Sequence, residues 1–185
     1  TESIEALKNE SQHMKELVEQ LLFLARGDSG RNTLNKVKLD LNQMVSEVWE
    51  ESQMIDEKHR YLFRGTDPAY MTGDIAMIKQ SIRIFVQNAA KYSSDGADIT
   101  LGVMLESGYV SYMIQDEGIG MESSDVVHIF ERFYRSDEAR NSETGGSGLG
   151  LSIAKWIVDA HSGTIQVVSR PEIGTRFIVR FPMCE

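Results

Sequence analysis

Three stretches of this sequence carry residues able to handle a phosphorylated ligand. Gly145-Gly146-Ser147-Gly148-Leu149-Gly150-Leu151 runs straight into a helical pattern. Its glycines let the backbone reach uncommon dihedrals and approach a ligand closely, and unpaired amides at a helix N-terminus favour an anion such as phosphate. No Gly-Lys-Ser/Thr follows, which excludes the P-loop, and polar loop rather than strand precedes, which excludes the dinucleotide fingerprint. Asp116-Glu117-Gly118-Ile119-Gly120 closes an alternating segment. A carboxylate at a strand end can accept a hydrogen bond from an exocyclic amine, and two glycines let the chain turn beside a flat ring. Asn88-Ala89-Ala90-Lys91-Tyr92 closes a long amphipathic pattern, where an amide oxygen can ligate Mg²⁺ and an ammonium can meet phosphate charge. Taken singly, each stretch also reads as something ordinary: a flexible linker, an Asp-Gly turn, the solvated face of a helix.

The elements that must position these residues follow from apolar periodicity. Leu7, Met14 and Leu21, widened by Ile4, Leu17, Val18 and Leu24, predict a helix over 4–26 that needs a partner. The turn formers Gly27-Asp28-Ser29-Gly30-Arg31-Asn32 then predict a linker. Residues 36–41 alternate as a short strand, 42–58 return to helical spacing, and 61–64 and 69–71 read as two short strands. Asp74 is placed as an N-cap for a helix whose buried face is Ile75, Ile78, Ile82, Phe85 and Ala89. Alternation over 97–105 and 110–114 around Glu106-Ser107-Gly108 predicts an antiparallel hairpin that delivers Asp116 at its far end. Residues 117–147 form a long polar loop with the character of a lid, expected to be mobile from about Ser136 to Gly146. A helix over 148–160 and two strands, 164–168 and 176–181, complete the chain. The expected organisation is a helix over 1–28, a linker over 29–35 and one domain over 36–185.

Composition narrows the functions. The 185 residues are 41% apolar, enough to bury a core, and Lys plus Arg (19) against Asp plus Glu (28) leave a net charge of −9. Such a surface repels a phosphate backbone, so nucleic-acid binding is not expected. The single cysteine, Cys184, excludes an intramolecular disulfide or a cysteine metal cluster and fits a reducing compartment. No apolar stretch approaches the roughly 20 residues that span a bilayer, and the start lacks a signal-peptide pattern. Opening inside a helical pattern without Met, the sequence reads as a piece of a longer protein.

In combination the motifs are specific. Asn88-Ala89-Ala90-Lys91-Tyr92-Ser93, Asp116-x-Gly118-x-Gly120, Ile129-Phe130-Glu131-Arg132-Phe133-Tyr134-Arg135, Gly146-x-Gly148-Leu149-Gly150-Leu151 and Gly174-Thr175 occur in that order. The sequence thereby resembles the ATP-binding catalytic domain of two-component sensor histidine kinases over about residues 36–182, with their N, G1, F, G2 and terminal glycine boxes. The resemblance implies an α+β fold, a two-layer α/β sandwich with a mixed sheet of the histidine-kinase, gyrase and chaperone ATPase kind, preceded by one long helix. It implies ATP and Mg²⁺ as cofactors. Asn88 would be the metal ligand, and Lys91 and Tyr92 would contact phosphate. Asp116 would take the adenine amine, with Gly118 and Gly120 shaping that wall and Thr175 supporting Asp116 through water. Gly146, Gly148, Leu149 and Gly150 would line the phosphates, and Arg132 and Arg135 would lie near the phosphates or the partner helices. Phe130, Phe133 and Tyr134 are read as packing of the lid.

The first helix looks like the second helix of that family's dimerisation domain. His13 is followed by Met14-Lys15-Glu16 rather than the family's acidic residue and Arg, so it does not match the phosphoacceptor. The other histidines, His59, His128 and His161, read as structural. Ile84 stands where the family often has Asn and related ATPases have a general-base Glu, which disfavours hydrolysis. The implied activity is transfer of the ATP γ-phosphoryl group to a histidine on a dimerisation helix absent from this sequence, for relay to a response regulator. Implied partners are the chain's own dimerisation domain and, in the full-length protein, a second copy. The implied location is cytoplasmic, in a parent that many family members anchor in the membrane. The competing readings are a non-catalytic nucleotide-sensing or protein-binding module and a gyrase- or chaperone-type ATPase.

Overall fold

The computed structural model describes residues 2–136 and 146–184, without the side chains of Glu2, Ser3, Ala6, Asn9 and His13. The segment expected to be mobile, about Ser136 to Gly146, falls almost wholly on 137–145, outside the described residues. So does the His13 side chain.

The chain begins with a long helix, α1 (Glu2–Asp28). Strand β1 (Val37–Asp40), helix α2 (Leu41–Ile55), strands β2 (Arg60–Arg64) and β3 (Tyr70–Gly73), and helix α3 (Ile75–Tyr92) follow. Strands β4 (Asp98–Glu106) and β5 (Tyr109–Asp116) form the expected hairpin, paired from Ile99–Asp116 to Glu106–Tyr109. After the short helix α4 (Ser123–Val126) come helix α5 (Gly150–Ala160) and strands β6 (Thr164–Arg170) and β7 (Gly174–Pro182).

Five strands form one sheet in the order β2-β4-β5-β7-β6, and β1 with β3 forms a separate antiparallel pair. Only β2–β4 is parallel, because α3 lies between those two strands in the chain and supplies the crossover such a pair needs. The sheet is therefore mixed. Helices α2 and α3 bury Val45, Val48, Ile78, Ile82 and Phe85 against Leu101, Tyr112, Ile114, Phe177 and Phe181 of the sheet. Asp40 caps α2, accepting from the Asn42 amide at 3.0 Å, and Asp74 caps α3, accepting from the Met77 amide at 3.2 Å.

The turn formers from Gly27 predict a stop, and α1 runs two residues past the apolar pattern that ends at Arg26, to Asp28, the bound expected for the first unit. A Cβ at Gly27 would run into the Trp156 indole on α5. The glycine thus permits close helix approach rather than a turn. A second, smaller core forms at this contact: Leu24 joins Leu149, Ile153 and Ile157, flanked by Phe23 and Trp156, whose rings meet edge to face at 5.1 Å. Helix α5 is consequently apolar on two sides, with Ala154 and Val158 in the main core and Ile153 and Ile157 facing α1.

Candidate functional site

The register of α3 separates its core face from a second stripe. Ile78, Ile82, Phe85 and Ala89 are buried at spacings of four, three and four, and Ile84, Asn88 and Lys91 repeat at four and three on another side. That second stripe lines a cavity of about 540 Å³, within the range that holds a drug-sized ligand. The far end of β5 contributes Asp116, β7 contributes Thr175, and the loop before α5 contributes Gly146, Ser147 and Gly148.

Asp116 is 5% exposed, and its Oδ1 accepts from the amides of Gly118 at 2.9 Å and Thr175 at 3.1 Å. Both bonds fall on one oxygen. Among the described residues Oδ2 takes none, which leaves an acceptor for a ligand's N–H group. Burial pushes the carboxyl above its ordinary value, and the two amide donors oppose that shift. Thr175 is thus linked to Asp116 through its main-chain N–H, and its hydroxyl is paired with Ser169 Oγ at 2.8 Å. Around Asp116 the backbone is crowded to the exclusion of side chains. Gly120 holds φ 67° with its Cβ position against the Arg170 carbonyl, and a Cβ at Gly118 would meet the Tyr92 carbonyl.

The opposite wall is cationic. Lys91 sits against Gly146, with its Nζ 5.1 Å from the Tyr92 ring centre. Burial and the Arg135 guanidinium both hold the Lys91 ammonium below its ordinary pKa. Two cations brought together in a half-buried cavity attract an anion. That arrangement suits phosphate. For a divalent ion, Asn88 offers a side-chain oxygen, a hard donor of the kind that suits Mg²⁺.

Most residues singled out in the sequence meet here: Asn88, Lys91, Tyr92, Asp116, Gly120, Arg135, Gly146, Gly148, Gly150 and Thr175 all line the cavity. Three do not. The Leu149 side chain is fully buried in the α1–α5 core, although its amide bonds Ser147 Oγ at 3.2 Å. Gly118 lies behind Asp116, and Arg132 turns to α1, donating to both oxygens of Asp28 at 2.7 and 2.8 Å. Of the three residues read as lid packing, Tyr134 lines the cavity and donates to Asp125 Oδ1, Phe130 packs on the core, and Phe133 is 56% exposed. Sequence reasoning missed Glu16, Leu17 and Gln20 of α1, which also line the cavity. Ser147 Oγ donates to Gln20 Oε1 at 2.8 Å across 127 positions, a relation no local pattern announces.

A family model described as histidine kinase-, DNA gyrase B-, and HSP90-like ATPase matches residues 73–185, more than half of the sequence. The chain belongs to this family. Sensor histidine kinase YkoH of Bacillus subtilis (strain 168) is 39% identical to this ATPase-family chain over 180 residues, covering 97% of the chain and 39% of the relative. Sensor histidine kinase WalK of the same organism is 34% identical over 182 residues, 96% of the chain and 30% of the relative. The chain therefore spans less than half the length of these curated relatives. Among solved structures, full-length ShkA in complex with AMPPNP superposes over 97% of this chain and 38% of its own, with a TM-score of 0.84 and 23% identity. The nucleotide-free catalytic domain of ThkA gives a TM-score of 0.67 at 25% identity, over 80% of this chain and 95% of its own. The α+β architecture with a leading helix is thus the fold of histidine kinase catalytic regions, and no helix among the described residues is long and apolar enough to cross a membrane.

Proposed function

We propose that the chain is the ATP-binding catalytic part of a sensor histidine kinase, which transfers the γ-phosphoryl group of Mg-ATP to a histidine on a dimerisation helix for relay to a response regulator. The carrying observation is the cavity itself. It joins a buried carboxylate with an open oxygen, Asp116, to a cationic wall of Lys91 and Arg135 and to a glycine-rich loop at the start of α5.

Each part has a task in phosphoryl transfer, which depends on positioning and charge neutralisation more than on covalent help. Asp116 Oδ2 accepts from the adenine amine and fixes the base. Lys91 and Arg135 neutralise the phosphates, and the turn at Gly146 and Gly148 brings main chain close to them. Asn88 would hold Mg²⁺, which supplies further neutralisation and alignment of the phosphate oxygens. Ile84, which lines the cavity where related ATPases carry a general-base Glu, has no group to activate water, and this supports transfer over hydrolysis.

The exposed α1 stripe of Ile4, Leu7, Met14 and Val18 supports pairing with a second copy through a helical bundle. Radiolabelled Mg-ATP tests the reading. The fragment alone stays unlabelled, an acceptor-bearing dimerisation domain of its parent supplied in trans becomes labelled, and Asn88→Ala abolishes that transfer. Steady phosphate release without an acceptor would instead identify an ATPase, and acid-labile label lost in His13→Ala would make His13 the acceptor.

A further inference from the structure

We propose that α1, docked as it is here, makes the cavity discriminate between nucleotides by the length of their phosphate chain, with Glu16 as the group that disfavours a triphosphate relative to a diphosphate. The inference rests on the reading of the cavity as a nucleotide site. It starts from a run of neighbours: Lys91 lies against Gly146, Ser147 follows, Ser147 Oγ donates to Gln20 Oε1, and Glu16 stands one helical turn from Gln20 on the same face of α1. Helix α1 therefore brings a carboxylate to the phosphate-facing loop rather than to the end where Asp116 takes the base.

Glu16 is fixed there by contacts of α1 that do not involve it. Leu24 is 2% exposed in the core shared with α5, and Asp28 is paired with Arg132. Glu16 Oε1 accepts from the Gln12 amide at 2.9 Å, a neutral donor that leaves the carboxylate charge in place. A third phosphate adds negative charge on the side of the cavity that α1 lines, where the Glu16 carboxylate repels it. A diphosphate meets less of this repulsion, and AMP less again. Position 16 thus acts on the phosphate chain without touching the base.

Calorimetric titration of the intact chain with Mg-ATP and Mg-ADP, in the natural sequence and in Glu16→Gln, tests the proposal. Glu16 is exposed, so the substitution leaves folding intact. At low salt the ratio Kd(ATP)/Kd(ADP) should fall about three- to tenfold in Glu16→Gln, while the affinity for ADP changes less than about twofold. The effect should shrink in about 0.5 M salt. An unchanged ratio, or equal changes for both nucleotides, overturns the proposal. A selective loss of ATP affinity also overturns it and makes Glu16 a helper of the metal instead. Failure of both nucleotides to bind the natural sequence would sink the nucleotide reading itself.

Discussion

The main-chain N–H of Asp74 donates to Nε2 of His161 at 3.0 Å, while Nδ1 of the same ring lies 2.7 Å from the Ile157 carbonyl and donates to it. The imidazole is held neutral between the start of α3 and the end of α5, the two helices that flank the cavity. Lys36, whose ammonium bonds the Ala160 carbonyl, and the Asp74 carboxylate are the charged groups around it.

Burial holds the His161 pKa below its ordinary value. The unfolded chain then binds the proton more readily, so the stability contributed by this ring is fully present above about pH 6.5 and declines as pH falls from there through the folded value. Denaturant midpoints should drop between pH 7.5 and 5.5, and His161→Gln should flatten that slope. An unaltered slope in the variant would assign the acid sensitivity elsewhere.

Asp116→Asn keeps an Oδ1 acceptor for the Gly118 and Thr175 amides but loses the charge offered to the ligand. Nucleotide binding should weaken by about 1–3 kcal/mol, as when a charged acceptor is neutralised in a buried site. Calorimetry reads this directly, and the thermal midpoint without ligand should hardly move. Unchanged affinity would remove Asp116 from the site.

Gly120→Ala places a methyl group against the Arg170 carbonyl at a φ of 67°. Both effects act in the same direction, and the loss of stability should reach about 2 kcal/mol or more. Chemical denaturation measures it. A cost below about 0.5 kcal/mol would mean that the loop after β5 relaxes freely.

Gly27→Val should release α1 from α5 while leaving the main core folded, because its side chain collides with Trp156. In a Trp49→Phe background, Trp156 is the remaining tryptophan, and its emission should shift to the red. Unshifted emission would show that α5 yields instead.

The sequence and the structure agree where local chemistry decides the outcome. The stripe of Ile78, Ile82, Phe85 and Ala89 places Asn88 and Lys91 away from the core by helical geometry alone, and the alternation on either side of Ser107-Gly108 brings Asp116 to the end of β5. The disagreements are tertiary. Gly27 looks like a stop in isolation and is a contact once Trp156 stands opposite. Leu149 shares a glycine-rich motif with cavity residues yet points to α1, because position 149 precedes a helix that is apolar on two sides. Glu16 and Gln20 carry no local mark of the cavity they help to close.

Helix α1 has 27 residues and is about 40 Å long, and among its described side chains those that meet the rest of the fold run from Glu16 to Asp28. The first half projects, with Ile4 72% and Leu7 71% exposed. Mechanically this is a cantilever clamped at one end. A sideways push on its free turns arrives at the clamp as torque, and the first hydrogen bond that torque loads is the one from Ser147 Oγ to Gln20.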